Sequence, residues 1–271
     1  MTASAGLAER IRTRAGLVGF WIGTDNPPMT ERLARLGYDY LCLDAQHGLL
    51  DDTGCLRNLT AIDAGTAGTT VGMVRVAANT PQHIGRALDL GAAGVIVPLV
   101  NTPEEAAAAV RACRYPPTGT RSYGPVRSAL RIGPEPQETD RAVACVVMIE
   151  TREGLDNVDK IARVPGIDAL YVGPSDLSLA LGDFPPVADR PAARFAEALD
   201  RVRAAARAAG RGCGLHTNTG AAAAQALADG FTFASVSDDI DHLQNAARQA
   251  LDAARGAAPA TVPSISARAS E

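Results

Sequence analysis

Two acidic side chains close apolar runs in this chain: Glu150 ends Ala144-Cys-Val-Val-Met-Ile-Glu150, and Asp176 follows Ala169-Leu-Tyr-Val-Gly-Pro-Ser-Asp176. A third apolar run ends at Asp44, and His47 lies three residues further on. Hard carboxylate oxygens suit a small divalent cation such as Mg2+ or Mn2+, which proteins commonly hold with one or two acids while water and substrate fill the remaining positions. Each acid alone reads equally well as a helix N-cap, because negative charge is favoured at a helix N-terminus. Together, at the ends of consecutive strands, they point to a metal site. His47 beside Asp44 offers a base near neutral pH, although a lone loop histidine is more often bonded to backbone. Arg75 interrupts the apolar stretch Met73-Val-Arg75-Val. A buried guanidinium needs an anion, which is either a core acid or the carboxylate or developing oxyanion of a substrate; the two-pronged donor geometry of arginine favours the substrate. His216, in Gly214-Leu-His216-Thr-Asn218, ends another apolar run and reads as a pocket-lining residue, whereas His83 and His242 fall on solvated helical faces.

For these groups to meet, their strand ends must converge. Eight short apolar runs alternate with amphipathic stretches: Val18–Gly23, Tyr40–Asp44, Thr70–Val76, Gly94–Val100, Ala144–Ile149, Ala169–Gly173, Gly212–His216 and Phe231–Val236. Short β-branched runs bounded by Gly, Asp or Pro are what buried parallel strands look like. The intervening stretches (Met29–Leu36, Pro81–Leu90, Pro103–Arg114, Arg190–Ala209) include helix starts at Thr80-Pro81 and Thr102-Pro103-Glu-Glu105 and stops at Gly37, Gly91, Gly210 and Gly230. Eight βα units without a G-x-G-x-x-G turn after the first predict a (β/α)8 TIM barrel rather than an open doubly wound sheet, with the active site at the C-terminal ends of the strands. The organisation read from this is an N-terminal segment 1–15, a barrel over 16–255 and a disordered Ala/Ser/Pro-rich tail 256–271. The segment Tyr115–Thr139, rich in Pro and Arg, reads as a long functional loop near the mouth.

Composition narrows the function classes. The 271 residues carry a net charge of −4, which favours neither nucleic acid nor an anionic membrane as partner. No apolar run approaches the roughly 20 residues of a membrane span, and Met1–Arg14 has no signal-peptide core. The five cysteines, odd in number and without a C-x-x-C pair, read as buried thiols in a reducing cytoplasm. Lys160 is the only lysine and sits mid-helix, which speaks against Schiff-base chemistry.

The segments Leu43-Asp-Ala-Gln46-His47-Gly48, Arg75, Ala87-Leu-Asp89-Leu-Gly-Ala92, Cys113-Arg-Tyr-Pro-Pro117, Val147-Met148-Ile-Glu150-Thr151 and Val172-Gly173-Pro174-Ser175-Asp176-Leu177 resemble the HpcH/HpaI aldolase family over about Gly16 to Arg255. Its members are class II pyruvate aldolases of the 4-hydroxy-2-oxoheptanedioate aldolase type, on a barrel of the phosphoenolpyruvate/pyruvate kind. The resemblance implies a divalent cation (Mg2+, Mn2+ or Co2+) on Glu150 and Asp176 and no organic cofactor. It implies a pyruvate carboxylate held near Gly173, Pro174, Ser175 and Asp176, His47 as base oriented by Asp44, and Arg75 on the enolate oxygen. It also implies Asp89 contributed from a neighbouring subunit, and a homohexamer of dimers that exchange their last helix. Substrates would be a small 2-oxoacid (pyruvate or oxaloacetate) and an aldehyde. Some members carry Glu at Gln46 and Gln at Met148, departures that alter pocket polarity. The loop containing Tyr123 is expected to meet the distal end of the substrate. Related metal-enolate reactions, oxaloacetate decarboxylation or a citrate-synthase or citryl-CoA-lyase-like step, stand as the alternative. A CoA partner would want a basic patch at the mouth, for which Arg114, Arg121, Arg127 and Arg131 are candidates.

Overall fold

A computed structural model describes residues 3–14, 16–66, 69–183 and 193–256. Eight parallel strands close on themselves in sequence order: β1 (Leu17–Ile22), β2 (Tyr40–Asp44), β3 (Val71–Arg75), β4 (Gly94–Val97), β5 (Ala144–Ile149), β6 (Ala169–Val172), β7 (Gly212–Thr217) and β8 (Phe233–Asp238). Helices follow the strands around the outside, so this is the (β/α)8 TIM barrel expected from the eight-fold alternation. The expected strands fall within a few residues of the observed ones, and β2 and β5 match at both ends. Thr80 and Thr102 cap their helices as read, the latter as a reciprocal capping box with Glu105. Gly37, Gly91, Gly210 and Gly230 all have positive φ, the backbone state that ends a helix cheaply only at glycine.

The sheet divides the apolar interior in two. Outward residues such as Leu41, Leu43, Val95, Val147 and Leu170 pack under the helices, while Tyr40, Met73, Ile96, Val146, Tyr171 and Phe233 fill the barrel itself. Two glycines make the inner layer possible: a Cβ at Gly19 would overlap the Tyr40 ring, and one at Gly214 the Phe233 and Tyr171 rings. Among these rings Ser235 is a polar hub, its Oγ accepting from Trp21 Nε1 (2.8 Å) and bonded to the hydroxyls of Tyr171 (2.5 Å) and Tyr40 (3.0 Å). The N-terminal segment contributes a helix, Ala3–Arg12, whose buried Leu7, Ala8 and Ile11 stopper the N-terminal end of the barrel. Burial of Leu7 and Ile11 stabilises that closure by roughly 1.5–3 kcal/mol per side chain.

Two expectations change on contact with the structure. The segment 115–139 is not near the mouth: it joins the end of helix Pro103–Cys113 to the start of β5, and chain direction puts every such connection at the opposite end of the barrel. Its arginines supply no basic patch at the mouth. Arg114 pairs with Asp168 ahead of β6, Arg121 with Asp89 at the end of helix Pro81–Asp89, and Arg127 and Arg131 with Asp63 near the end of helix Asp52–Gly65. The last helix, Asp239–Ala254, leaves β8 but buries only Asp241 of its own residues, with Leu243 71% and Leu251 44% exposed. The tail from 257 onward and the start of the expected helix at Arg190 lie outside the described residues. All five cysteines are free and buried, and among the described residues no helix is long and apolar enough to cross a membrane.

Candidate active site

A cavity of about 520 Å³ opens at the C-terminal ends of the strands. It gathers Asp44 and His47 from the end of β2, Arg75 from β3, Met148 and Glu150 from β5, Gly173 to Asp176 from β6, and His216 from β7. The chemistry-bearing residues read from the sequence therefore share one space. Gln46, Tyr123 and Asp89 do not line it within a single chain. Gln46 turns its Oε1 into an enclosed spot without a partner. Tyr123 lies in the connection at the far end, 59% exposed, with its hydroxyl donating to the Pro134 carbonyl (3.1 Å). Asp89 accepts from Arg121 Nη2 (2.7 Å) at that same end.

Glu150 is 2% exposed. Its Oε1 accepts the backbone N–H of Leu99 (2.7 Å), whereas its Oε2 is buried with no partner. Leu99 reaches that position with a left-handed φ of +54°, an arrangement that costs a non-glycine residue on the order of 1 kcal/mol. Burial, joined by the negative charge of Asp176, pushes the Glu150 carboxyl up to about 7, against the opposing pull of Leu99 and Arg75. Close approach here requires Gly173: a Cβ on it would overlap Glu150 Oε2 and come within 2.9 Å of Met148 Cε. Gly173 also begins helix Pro174–Leu181, so the free N–H groups of Ser175 and Asp176 face the cavity mouth, where a helix N-terminus favours an anion.

On the opposite wall, Arg75 and Asp44 are register partners across β2 and β3. The pair is bidentate, Nε to Oδ1 at 2.9 Å and Nη2 to Oδ2 at 2.6 Å. Arg75 thus finds the core acid as its first anion while still lining the cavity. Burial alone would raise the Asp44 carboxyl, but the Arg75 guanidinium outweighs it and the net displacement is downward. Asp44 does not bond the His47 imidazole. Its Oδ1 accepts the backbone N–H groups of Gln46 (3.1 Å) and His47 (3.2 Å), which fixes the turn and leaves the exposed ring facing the cavity. Gly48 tightens that turn, since a Cβ there would overlap the Asp44 carbonyl.

Sequence reading missed two parts of this site. Trp21 lies under the Arg75 guanidinium, 4.6 Å from CZ to ring centroid, with its indole N–H anchored on Ser235; a lone tryptophan on a barrel strand was the available signal. Leu99 acts through its backbone, which no side-chain pattern reveals. Lys160 is exposed on the outer helix Val158–Ala162, away from the cavity.

A sequence model of the HpcH/HpaI aldolase/citrate lyase family matches residues 17–246. The chain belongs to this family. It is 40% identical over 243 residues to a hydroxypyruvate/pyruvate aldolase of Rhizorhabdus wittichii, covering 89% of this chain and 95% of that protein. It is 36% identical over 249 residues to a 5-keto-4-deoxy-D-glucarate aldolase of Citrobacter koseri, covering 91% and 93%. Among solved structures, an HpcH/HpaI aldolase/citrate lyase family protein of Burkholderia cenocepacia superposes with a TM-score of 0.83 at 34% identity, over 93% of this chain and 99% of that one. As a member of the HpcH/HpaI family with aldolases as relatives, the chain is a carbon–carbon lyase.

Proposed function

We propose that the chain catalyses reversible aldol cleavage of a 4-hydroxy-2-oxoacid to pyruvate and an aldehyde, with a divalent cation held by Glu150 and Asp176. The observation that carries this reading is the buried, unpartnered Oε2 of Glu150 beside Asp176, across one cavity from His47 and Arg75. Among the described residues no three His, Cys, Asp or Glu side chains cluster as a full protein cage. A two-carboxylate site fits Mg2+ or Mn2+, whose remaining positions go to water and a chelating substrate. When bound, the cation supplies a Lewis acid that draws electron density from the 2-oxo group.

The residues of the chain do the rest. The N–H groups of Ser175 and Asp176 bind the ketoacid carboxylate. His47, directly or through one water, takes the proton of the C4 hydroxyl. As the C3–C4 bond breaks, its electron pair passes to C3 and the C2 oxygen, C4 becomes the aldehyde carbonyl, and Arg75 faces the enolate charge. The proton held by His47 then returns to C3 and gives pyruvate, so none is gained or lost. Asp44 and Trp21 fix the plane and position of Arg75, leaving it little reorganisation as charge develops.

The assembly is part of the same proposal. Asp89 sits at the far end of its own barrel, paired with Arg121, and the family resemblance assigns it to the cavity of a neighbouring copy. The exposed apolar face of helix Asp239–Ala254 fits exchange between paired subunits within a hexamer. Five buried free thiols suit a reducing cytoplasm.

The test is pyruvate release from a 4-hydroxy-2-oxoacid, assayed with EDTA and then with added Mg2+ or Mn2+. Activity is expected to stop and return; full activity after rigorous metal removal overturns the metal-dependent reading. An oxaloacetate arm in the same assay checks decarboxylation. The acyl-CoA alternative loses its argument, because the four arginines that would have greeted CoA are paired at the far end of the barrel.

A further inference from the structure

Around the cavity rim, β5 and β6 supply Glu150 and the Ser175–Asp176 helix start, and β2 and β3 supply His47 and Arg75. If those groups hold the ketoacid, the remaining arc, β7 to β8 to β1, faces the aldehyde half of the substrate. That arc presents His216, Asn218, Ile240 and Trp21. His216 sits edge-on to Trp21, with centroids 5.2 Å apart and planes at 78°, which fixes the orientation of its ring. It is partly accessible to the cavity, while its Nδ1 is enclosed without a hydrogen-bond partner. Burial, then the positive charge of Arg75, push its pKa down to about 4 despite the opposing pull of Asp44. The ring is therefore neutral at ordinary pH. With Nδ1 enclosed, Nε2 is the ring nitrogen left to meet the substrate, and on a neutral ring it donates or accepts according to tautomer; a hydroxyl can answer either way, whereas a carboxylate can only accept and finds no positive charge there.

We propose that His216 determines specificity, its imidazole hydrogen-bonding a hydroxyl on the aldehyde half so that the enzyme prefers hydroxylated aldehydes. This inference rests on the aldolase reading above. An apolar residue at the same place would leave a substrate hydroxyl facing a dry wall, and a hydroxyl-free aldehyde leaves the buried imidazole unsatisfied.

The experiment compares condensation of pyruvate with glycolaldehyde and with its near-isostere propionaldehyde, in Mn2+, for wild type, His216→Leu and His216→Gln. Wild type is expected to favour glycolaldehyde, and His216→Leu to lower the ratio of the two kcat/KM values about tenfold, the order of one lost neutral hydrogen bond. His216→Gln, which keeps a donor and an acceptor and guards against a poorly folding Leu variant, should retain part of the preference. An unchanged ratio, or an equal fall with both aldehydes, overturns the proposal and leaves His216 a packing partner of Trp21. Deuterium exchange at C3 of pyruvate by wild type in D2O, without aldehyde, separates the two levels. Exchange with an unchanged ratio sinks only the His216 assignment, and absence of exchange sinks the aldolase reading together with it.

Discussion

At the scale of single residues, Arg75 has two jobs that a pair of substitutions separates. Its guanidinium is the buried counter-ion of Asp44 and faces the cavity at once. Arg75→Ala should lower kcat by roughly 100- to 1,000-fold, as loss of an oxyanion donor does. It should also cost about 3–5 kcal/mol of stability by stranding a buried carboxylate. Adding Asp44→Asn should restore much of the stability and none of the activity, read by urea denaturation beside pyruvate assays; a double variant no more stable than the single one contradicts the pairing account. His216 gives a second residue-level prediction, with Arg75 and Asp44 the charged groups that face it. Its folded pKa of about 4 lies below the unfolded value of about 6.5. The unfolded chain therefore takes up the proton first, and this histidine erodes stability as pH falls from about 6.5 to 4. Wild type should lose more stability than His216→Leu between pH 7 and 4.5. Parallel losses would show that the imidazole titrates freely in the fold.

At the scale of elements, the short turn from β6 into helix Pro174–Leu181 shapes the proposed cation site. Gly173→Ala should fold, because the overlapping atoms are the flexible ends of Glu150 and Met148. It should nonetheless push the Glu150 carboxylate aside and weaken Mn2+ binding at least tenfold, measured by calorimetry beside a thermal melt. Unaltered Mn2+ affinity counts against Glu150 as ligand. Strands and caps were legible because their signals are local: a short apolar run ending in Asp marks β2, a Val- and Ile-bearing run marks β5, and Thr102 with Glu105 marks a helix start. The Asp44–Arg75 pair was not, because it depends on the register of β2 against β3, and no stretch of one strand encodes its offset to the next. The misplacement of 115–139 had a different origin. Its composition suggested a functional loop, but its position between a helix and the following strand assigns it to the far end of any such barrel.

At the scale of the whole molecule, the proposed assembly rests on the exposed leucines of the final helix, Leu243 and Leu251. Leu243→Asp with Leu251→Asp should convert the proposed oligomer to smaller species in light scattering, and with Asp89 then unable to reach another copy's mouth, activity should fall with mass. A wild-type monomer of full activity would remove the assembly proposal. The site acids, His47 and Arg75 were legible in the sequence because a parallel barrel sends every strand's C-terminus to one place. The far-end residues Asp89 and Tyr123 stay out of reach of that logic within one chain.

Lys160 carries the single side-chain amine of the 271 residues, and it projects from the barrel's flank. Amine-reactive resin under alkaline coupling therefore has, beside the backbone's α-amino group, one side-chain anchor per copy, on the flank and away from the rim.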